Sequence, residues 1–314
     1  MKYPVHIRTV WWMVLAILFL PSCIHDSLED CFSECRLFLD YIPANYSEAR
    51  EGIREENLTR LNLFVFDEEG IFVREYTDES PELSPEYYIA LPGLPSGYYQ
   101  IMAWGGLNTN YVISEELVPG ETHISELELY LKHTERASVT TTIPHLFYAS
   151  KEDELIEVIQ GQDVKDKLKL VQDTYVIHVT VNGLETTNET YTISIEDNIG
   201  TLTFDNSITS TEKYNYITTC QNFTGSLTVL RLMEERKGSV PFRLESNQKD
   251  KPLFEEDIIE LLLAIQTVGG KVNFSYMHEF DIILTAQEPA DEAAEVTFTV
   301  SVNGWNLTSE DTPL

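Results

Sequence analysis

From Arg36 onward, apolar and polar residues alternate with a period of two, the signature of strands that bury one face. Residues 36–41 form the first such segment and residues 60–66 the second. Asp67-Glu68-Glu69-Gly70 turns the second into Ile71-Phe72-Val73, with Gly70 free to take a positive φ. The polar stretch 47–57 between them predicts a short helix. Leu91-Pro92-Gly93-Leu94-Pro95-Ser96-Gly97 excludes regular structure through two prolines and two glycines, and it leads into an aromatic strand, 98–104, stopped by Gly105-Gly106. Ile124, Leu127, Leu129 and Leu131 mark an edge-like segment, and residues 138–142 are β-branched enough for one more strand.

Between Gly161 and Lys169 apolar content falls and charge rises, which predicts an internal boundary. A second β-rich block follows. Tyr175, Ile177, Val179 and Val181 are placed on one face of a strand, with Val176, His178 and Thr180 on the other. Residues 191–195, 201–204, 223–232, 272–277, 280–284 and 296–305 continue the pattern. One helix, 255–267, interrupts it, with acids in its first turn and Ile258, Ile259, Leu261, Leu262, Leu263 and Ile265 covering most faces. Short strands at this spacing predict antiparallel β-sandwiches, so the fold class is mainly all-β. The chain divides into 1–22, a tether 23–36, and two sandwiches, 37–165 and 166–314.

The start of the chain has a different pattern. Lys2, His6 and Arg8 precede an unbroken apolar run from Val10 to Leu20 that stops at Pro21-Ser22-Cys23. The run is shorter than the roughly 20 residues a membrane-crossing helix needs. Its length and flanks are those of a secretory signal. A small residue and a cysteine directly after it, Leu20-Pro21-Ser22-Cys23, look like a bacterial lipobox, in which cleavage leaves Cys23 as a lipidated first residue. Pro21 departs from the residue usual at its position. The alternative is an ordinary secreted protein with Cys23 in a disulfide. Two or more acyl chains give stable anchoring where one is marginal. The acidic stretch from Ile24 to Cys31 then reads as a tether, similar to the signal that sends some lipoproteins to the cell surface.

The chain has 314 residues, 43% of them hydrophobic, with 16 Tyr and 14 Phe, enough for packed cores. Its formal charge is −31, and loss of the signal with Lys2 and Arg8 leaves 19 basic against 52 acidic residues, a net −33. Such a surface repels nucleic acid and anionic headgroups, so membrane attachment is expected from the lipid alone. With Cys23 modified, Cys31, Cys35 and Cys220 remain, an odd number in an oxidising compartment. The sequence leaves the pairing open between Cys31–Cys35 and a bridge to Cys220.

Catalytic signatures are missing: there is no G-x-S-x-G elbow, H-E-x-x-H pair, P-loop, dinucleotide fingerprint or EF-hand loop. The histidines stand singly, and C-x3-C lacks a second ligand pair, so neither a metal nor another cofactor is expected. Tyr98, Tyr99 and Trp104 form a candidate glycan-stacking platform, set against the simpler expectation that alternation buries half of them.

Several of these stretches together resemble one family. They are Cys23-Ile24-His25-Asp26-Ser27-Leu28-Glu29-Asp30-Cys31, Leu63-Phe64-Val65-Phe66-Asp67-Glu68-Glu69-Gly70, and the run from Leu94 to Gly106. In the second block Val176–Val181 with Gly183, Glu196-Asp197-Asn198 and Val302-Asn303-Gly304-Trp305 agree. The chain is similar to FimB-type fimbrial anchor lipoproteins, the minor subunits that hold type V pili to the outer membrane. The resemblance implies two tandem transthyretin-like sandwiches, no enzymatic activity, and partnership with a fimbrial stalk subunit by strand complementation. It also implies a lipid anchor in the outer membrane, facing the cell surface, and a limit on fimbrial length. Shaft subunits of that system lose a first strand to a protease, whereas an anchor keeps it. Here the retained strand would be Leu37, Phe38, Leu39, Asp40 and Tyr41. Val296, Phe298, Val300 and Val302 form the candidate subunit-contact strand, or else complete their own domain. Two other readings are a tip adhesin, cut at Arg50, Arg54 or Arg60, and a surface glycan-binding lipoprotein using Tyr98, Tyr99 and Trp104.

Overall fold

The computed structural model describes residues 35–43, 52–113, 116–133, 138–140, 142–151, 154–159, 161–184, 189–209, 212–287 and 296–307. The strands of the first part are β1 (Cys35–Asp40), β2 (Leu61–Asp67), β3 (Phe72–Asp78), β4 (Tyr88–Ala90), β5 (Gly97–Gly105), β6 (Tyr111–Ile113), β7 (Glu128–Leu131), β8 (Ser138–Val139), β9 (Phe147–Ser150), β10 (Ile156–Val158) and β11 (Val164–Gln172). There follow β12 (Thr174–Asn182), β13 (Tyr191–Asp197), β14 (Thr201–Thr203), β15 (Tyr214–Thr219), β16 (Thr224–Leu230), β17 (Pro241–Ser246) and β18 (Phe254–Asp257). A helix α1 (Ile258–Ala264) and then β19 (Glu279–Gln287), β20 (Thr297–Val302) and β21 (Trp305–Leu307) complete the series.

The first sheet runs β3-β2-β5-β9-β11-β1-β4, with β10 added beside the start of β5. It curls until its two ends meet through side chains: Tyr87 Oη donates to Asp78 Oδ2 at 2.8 Å and Tyr76 Oη to the Pro92 carbonyl at 2.9 Å. Leu37, Leu61, Leu63, Val65, Ile101, Ala103, Phe147, Leu168 and Leu170 fill the inside. The other faces of β2, β5 and β9 are covered as well. Phe64, Phe66, Met102, Trp104 and Tyr148 belong to a second interior shared with the rest of the chain. Burial on both sides explains why Leu61 to Phe66 is nearly unbroken in apolar character apart from Asn62.

That second interior lies chiefly between two five-stranded sheets, β16-β12-β19-β20-β21 and β18-β17-β13-β15-β8. On β12 Tyr175, Ile177, Val179 and Val181 are buried while Val176, His178 and Thr180 are only partly covered, as the alternation predicts. Segments from the first part of the chain also enter: β7 pairs with β14 on one side and β6 on the other, and β8 pairs with β15. The boundary placed at residue 165 falls within β11, whose register with β1 is continuous from Val164 to Lys169. The charge rise there is the outward lysines of a strand, not a linker.

Two local expectations change. Residues 255–257 belong to β18, where Arg243 Nε donates to Glu255 Oε1 at 2.7 Å, so the helix starts only at Ile258. Asp257 caps it, its Oδ1 accepting from Glu260 N at 2.9 Å. Residues 272–277 form turns in place of a strand, because the Asn273 side chain accepts from Ser275 N at 2.8 Å and its carbonyl from Met277 N at 2.9 Å. In both places local polar groups override the apolar spacing.

Candidate functional site

The first strand is held from both sides. β1 pairs in parallel with β11 over six residues, from Cys35 opposite Val164 to Asp40 opposite Lys169, and antiparallel with β4 over three. Cys35, Leu37 and Leu39 point inward and are almost completely buried. Arg36, Phe38 and Asp40 take the other face, where the Phe38 ring lies 5.5 Å from that of Tyr88. Tyr41 follows the strand, its Oη donating to Glu55 Oε1 at 3.2 Å. Cys23 and Cys31 lie outside the described residues. Cys35 and Cys220 are not bonded to each other, and burial pushes each thiol up to about 11, helped at Cys35 by the Asp166 charge. Both sulfurs therefore stay protonated and weakly nucleophilic at neutral pH.

The segment after β1 is clipped to the second part of the chain. Gly52 N donates to the Tyr276 carbonyl at 2.5 Å, Ile53 N to Ile42 O at 2.8 Å, and Arg54 pairs with Glu279 at 3.2 Å. Next to this clip, Asp173 joins β11 to β12. Its buried Oδ1 accepts from Asn206 Nδ2 at 3.1 Å, with Arg231 Nε at 3.7 Å. Burial raises Asp173 to about 6 against the opposing pull of Arg231 and Asn206. His278, 3% exposed, is lowered to about 4 by burial and, less, by His145. Sequence reasoning missed these groups because the partners lie far apart along the chain. One signal was present: Asp173 is the only acid between Leu168 and Val181.

The candidate contact strand near the C-terminus lies within its own sheet. β20 pairs with β19 from Thr297 to Val302 and with β21 from Val300 to Val302. Val300 and Val302 are buried, Phe298 packs 5.9 Å from Phe254, and Val296 immediately precedes the strand. Asn303 and Gly304, at φ 49 and 82, make the two-residue turn into β21.

The three aromatic residues of the glycan platform do not come together. Trp104 is 0% exposed and meets Phe64 edge-on at 5.8 Å. Tyr99 is buried, donating to Pro95 O at 2.9 Å, and only Tyr98 reaches the surface, bonded to Glu157 at 2.8 Å. A platform built on Trp104 is excluded by its burial. An open cleft of about 660 Å³ is lined in part by Glu68, Gln100, Met102, Tyr148, Lys151 and Asp205, with none of the three platform aromatics among its lining. Among the described residues no group of three or more His, Cys, Asp or Glu is placed to hold a metal ion, and no helix is long and apolar enough to cross a membrane.

Residues 28–311 match the model of the fimbrillin-A associated anchor proteins Mfa1 and Mfa2. The chain belongs to this family. It is 24% identical over 310 residues to the minor fimbrium anchoring subunit Mfa2 of Porphyromonas gingivalis, covering 94% of this chain and 92% of that one. The solved structure of the P. gingivalis Mfa2 fimbrial anchor superposes with a TM-score of 0.68 at 21% identity, over 88% of this chain and 99% of that one. A candidate polysaccharide-binding protein from Bacteroides thetaiotaomicron gives 0.71 at 22% identity, over 89% and 100%. These Mfa2-like structures share the mainly β architecture described above.

Proposed function

We propose that this chain is the anchor subunit of a type V fimbria, tethered to the outer membrane through a lipidated Cys23 and in contact with a stalk subunit by strand complementation. The observation that carries the reading is the state of β1. With Leu37 and Leu39 buried and both edges paired, the first strand already occupies its own sheet, and removing it would expose an apolar groove and a row of unpaired backbone groups. The relationship to the P. gingivalis anchoring subunit supports the same role. A subunit that retains its first strand has no slot there for a donor strand from another copy, so it ends a polymer instead of extending it and limits its length. The Arg54–Glu279 pair and the Gly52–Tyr276 bond weigh against a tip adhesin, because they hold the segment in which such a subunit would be cut.

The test is genetic. In cells carrying Cys23→Ala, fimbriae are expected in the culture medium together with the variant, while the parent stays with the outer membrane. Fimbriae that remain attached in the variant would contradict the anchoring role.

A further inference from the structure

The outward face of β1 and β11 carries a charge opposite to that of the whole molecule. The register sets Arg36 beside Lys165, Phe38 beside Lys167 and Asp40 beside Lys169, and paired residues of neighbouring strands project from the same face of a sheet. Residues of the other parity, Cys35, Leu37, Leu39, Leu168 and Leu170, fill the interior. Lys165, Lys167 and Lys169 are exposed, and among the described residues Lys165 and Lys167 take part in no ion pair. On β4, Tyr88 stands opposite Phe38, 40% exposed, with the Arg36 guanidinium 5.2 Å from its ring centre. Four of the chain's 21 basic residues thus share one face of two adjacent strands, where Asp40 is the only acid.

A formal charge of −31 argues against binding to an anionic surface, and the sequence reads that way. Screening reverses the conclusion locally. At physiological ionic strength charges act over about 8 Å. A surface touching this face therefore meets four cations against Asp40 and the exposed Asp163 just before β11, a local excess of positive charge.

We propose that this face docks on the phosphate headgroups of an anionic bilayer, through Arg36, Lys165, Lys167 and Lys169, with Phe38 and Tyr88 at the interface. The proposal extends the anchoring reading. Cys35 lies twelve positions after Cys23, a reach of at most about 40 Å, so a lipid on Cys23 keeps β1 beside the membrane. Tyrosine at headgroup level is favourable as well. An acidic protein surface, such as a second copy of this chain, would also match the charge but gains nothing from the tether.

The experiment uses the mature chain with Cys23→Ala, which carries no acyl group, mixed with vesicles of phosphatidylcholine alone or with about one third phosphatidylglycerol. Sedimentation is expected only with the anionic vesicles at physiological salt, and is lost near 1 M salt, where the screening length is about 3 Å. Lys165→Gln with Lys167→Gln and Lys169→Gln is expected to lower partitioning on the order of 100-fold. The equivalent change at exposed Lys249, Lys251 and Lys271 leaves it unchanged. Equal binding to both vesicles, or no effect of the first triple variant, overturns the proposal. So does vesicle-independent self-association abolished by that variant, which would assign the face to a second copy. Failure of lipidation in cells would leave this assay untouched, so the two readings fail separately.

Discussion

Gly106 illustrates how little freedom single positions have. Its φ is 80°, and a Cβ there would lie 1.9 Å from the His145 carbonyl oxygen, a backbone atom that cannot swing aside. Gly106→Ala is therefore expected to cost more than about 2 kcal/mol, read as a lower urea midpoint. His278 sets a pH dependence. The folded chain holds it neutral down to about 4, whereas an exposed histidine takes a proton near 6.5, so its contribution is intact above 6.5 and is lost as pH falls toward 4. Asp173, raised to about 6 from the usual 3.8, works oppositely: stability gains as pH falls through that interval. His278→Phe removes the losing side of this balance. Relative to the parent, the variant should gain on the order of 3 kcal/mol between pH 7 and pH 4, measured as the difference in unfolding free energy. Parallel profiles for the two proteins would sink this assignment.

At the scale of elements, much of the architecture is legible in residue order, and the exceptions have identifiable causes. The alternation on β12 reads correctly because one face is buried and the other partly solvated. On β2 the second apolar set, Phe64 and Phe66, has meaning only once a second interior covers it. The late start of α1 reflects β17 capturing residues 255–257, and the turn at Asn273 reflects a side chain competing with a ladder. The lysines of β11 look like a linker until their partners on β1 are known. The strands β1 and β20 are identifiable in advance from their alternation, but the Arg54–Glu279 pair is not, since 225 positions separate its members. Glu279→Gln keeps every trypsin site while weakening that clip. The partly buried pair is worth about 1 kcal/mol, so cleavage after Arg54 should accelerate by up to about fivefold, with the new N-terminus identified by mass.

The molecule as a whole is two interiors joined by strands that serve both. β2, β5 and β9 bury residues on each side, and β11 passes through the single residue Asp173 into β12. A load entering at the start of β1 and leaving through the second interior runs along parallel strands β1 and β11, so the six paired positions share it in shear. That arrangement suits the proposed place of the subunit, between a tether and a filament. The central claim is that the chain stays whole from Cys23 onward and is held there by lipid. The most direct test is the intact mass of the protein taken from native membranes. The account predicts a chain beginning at an acylated Cys23 with β1 still attached. A chain beginning beyond Tyr41, recovered from shed filaments, would contradict it and mark the protein as a polymerising or tip subunit.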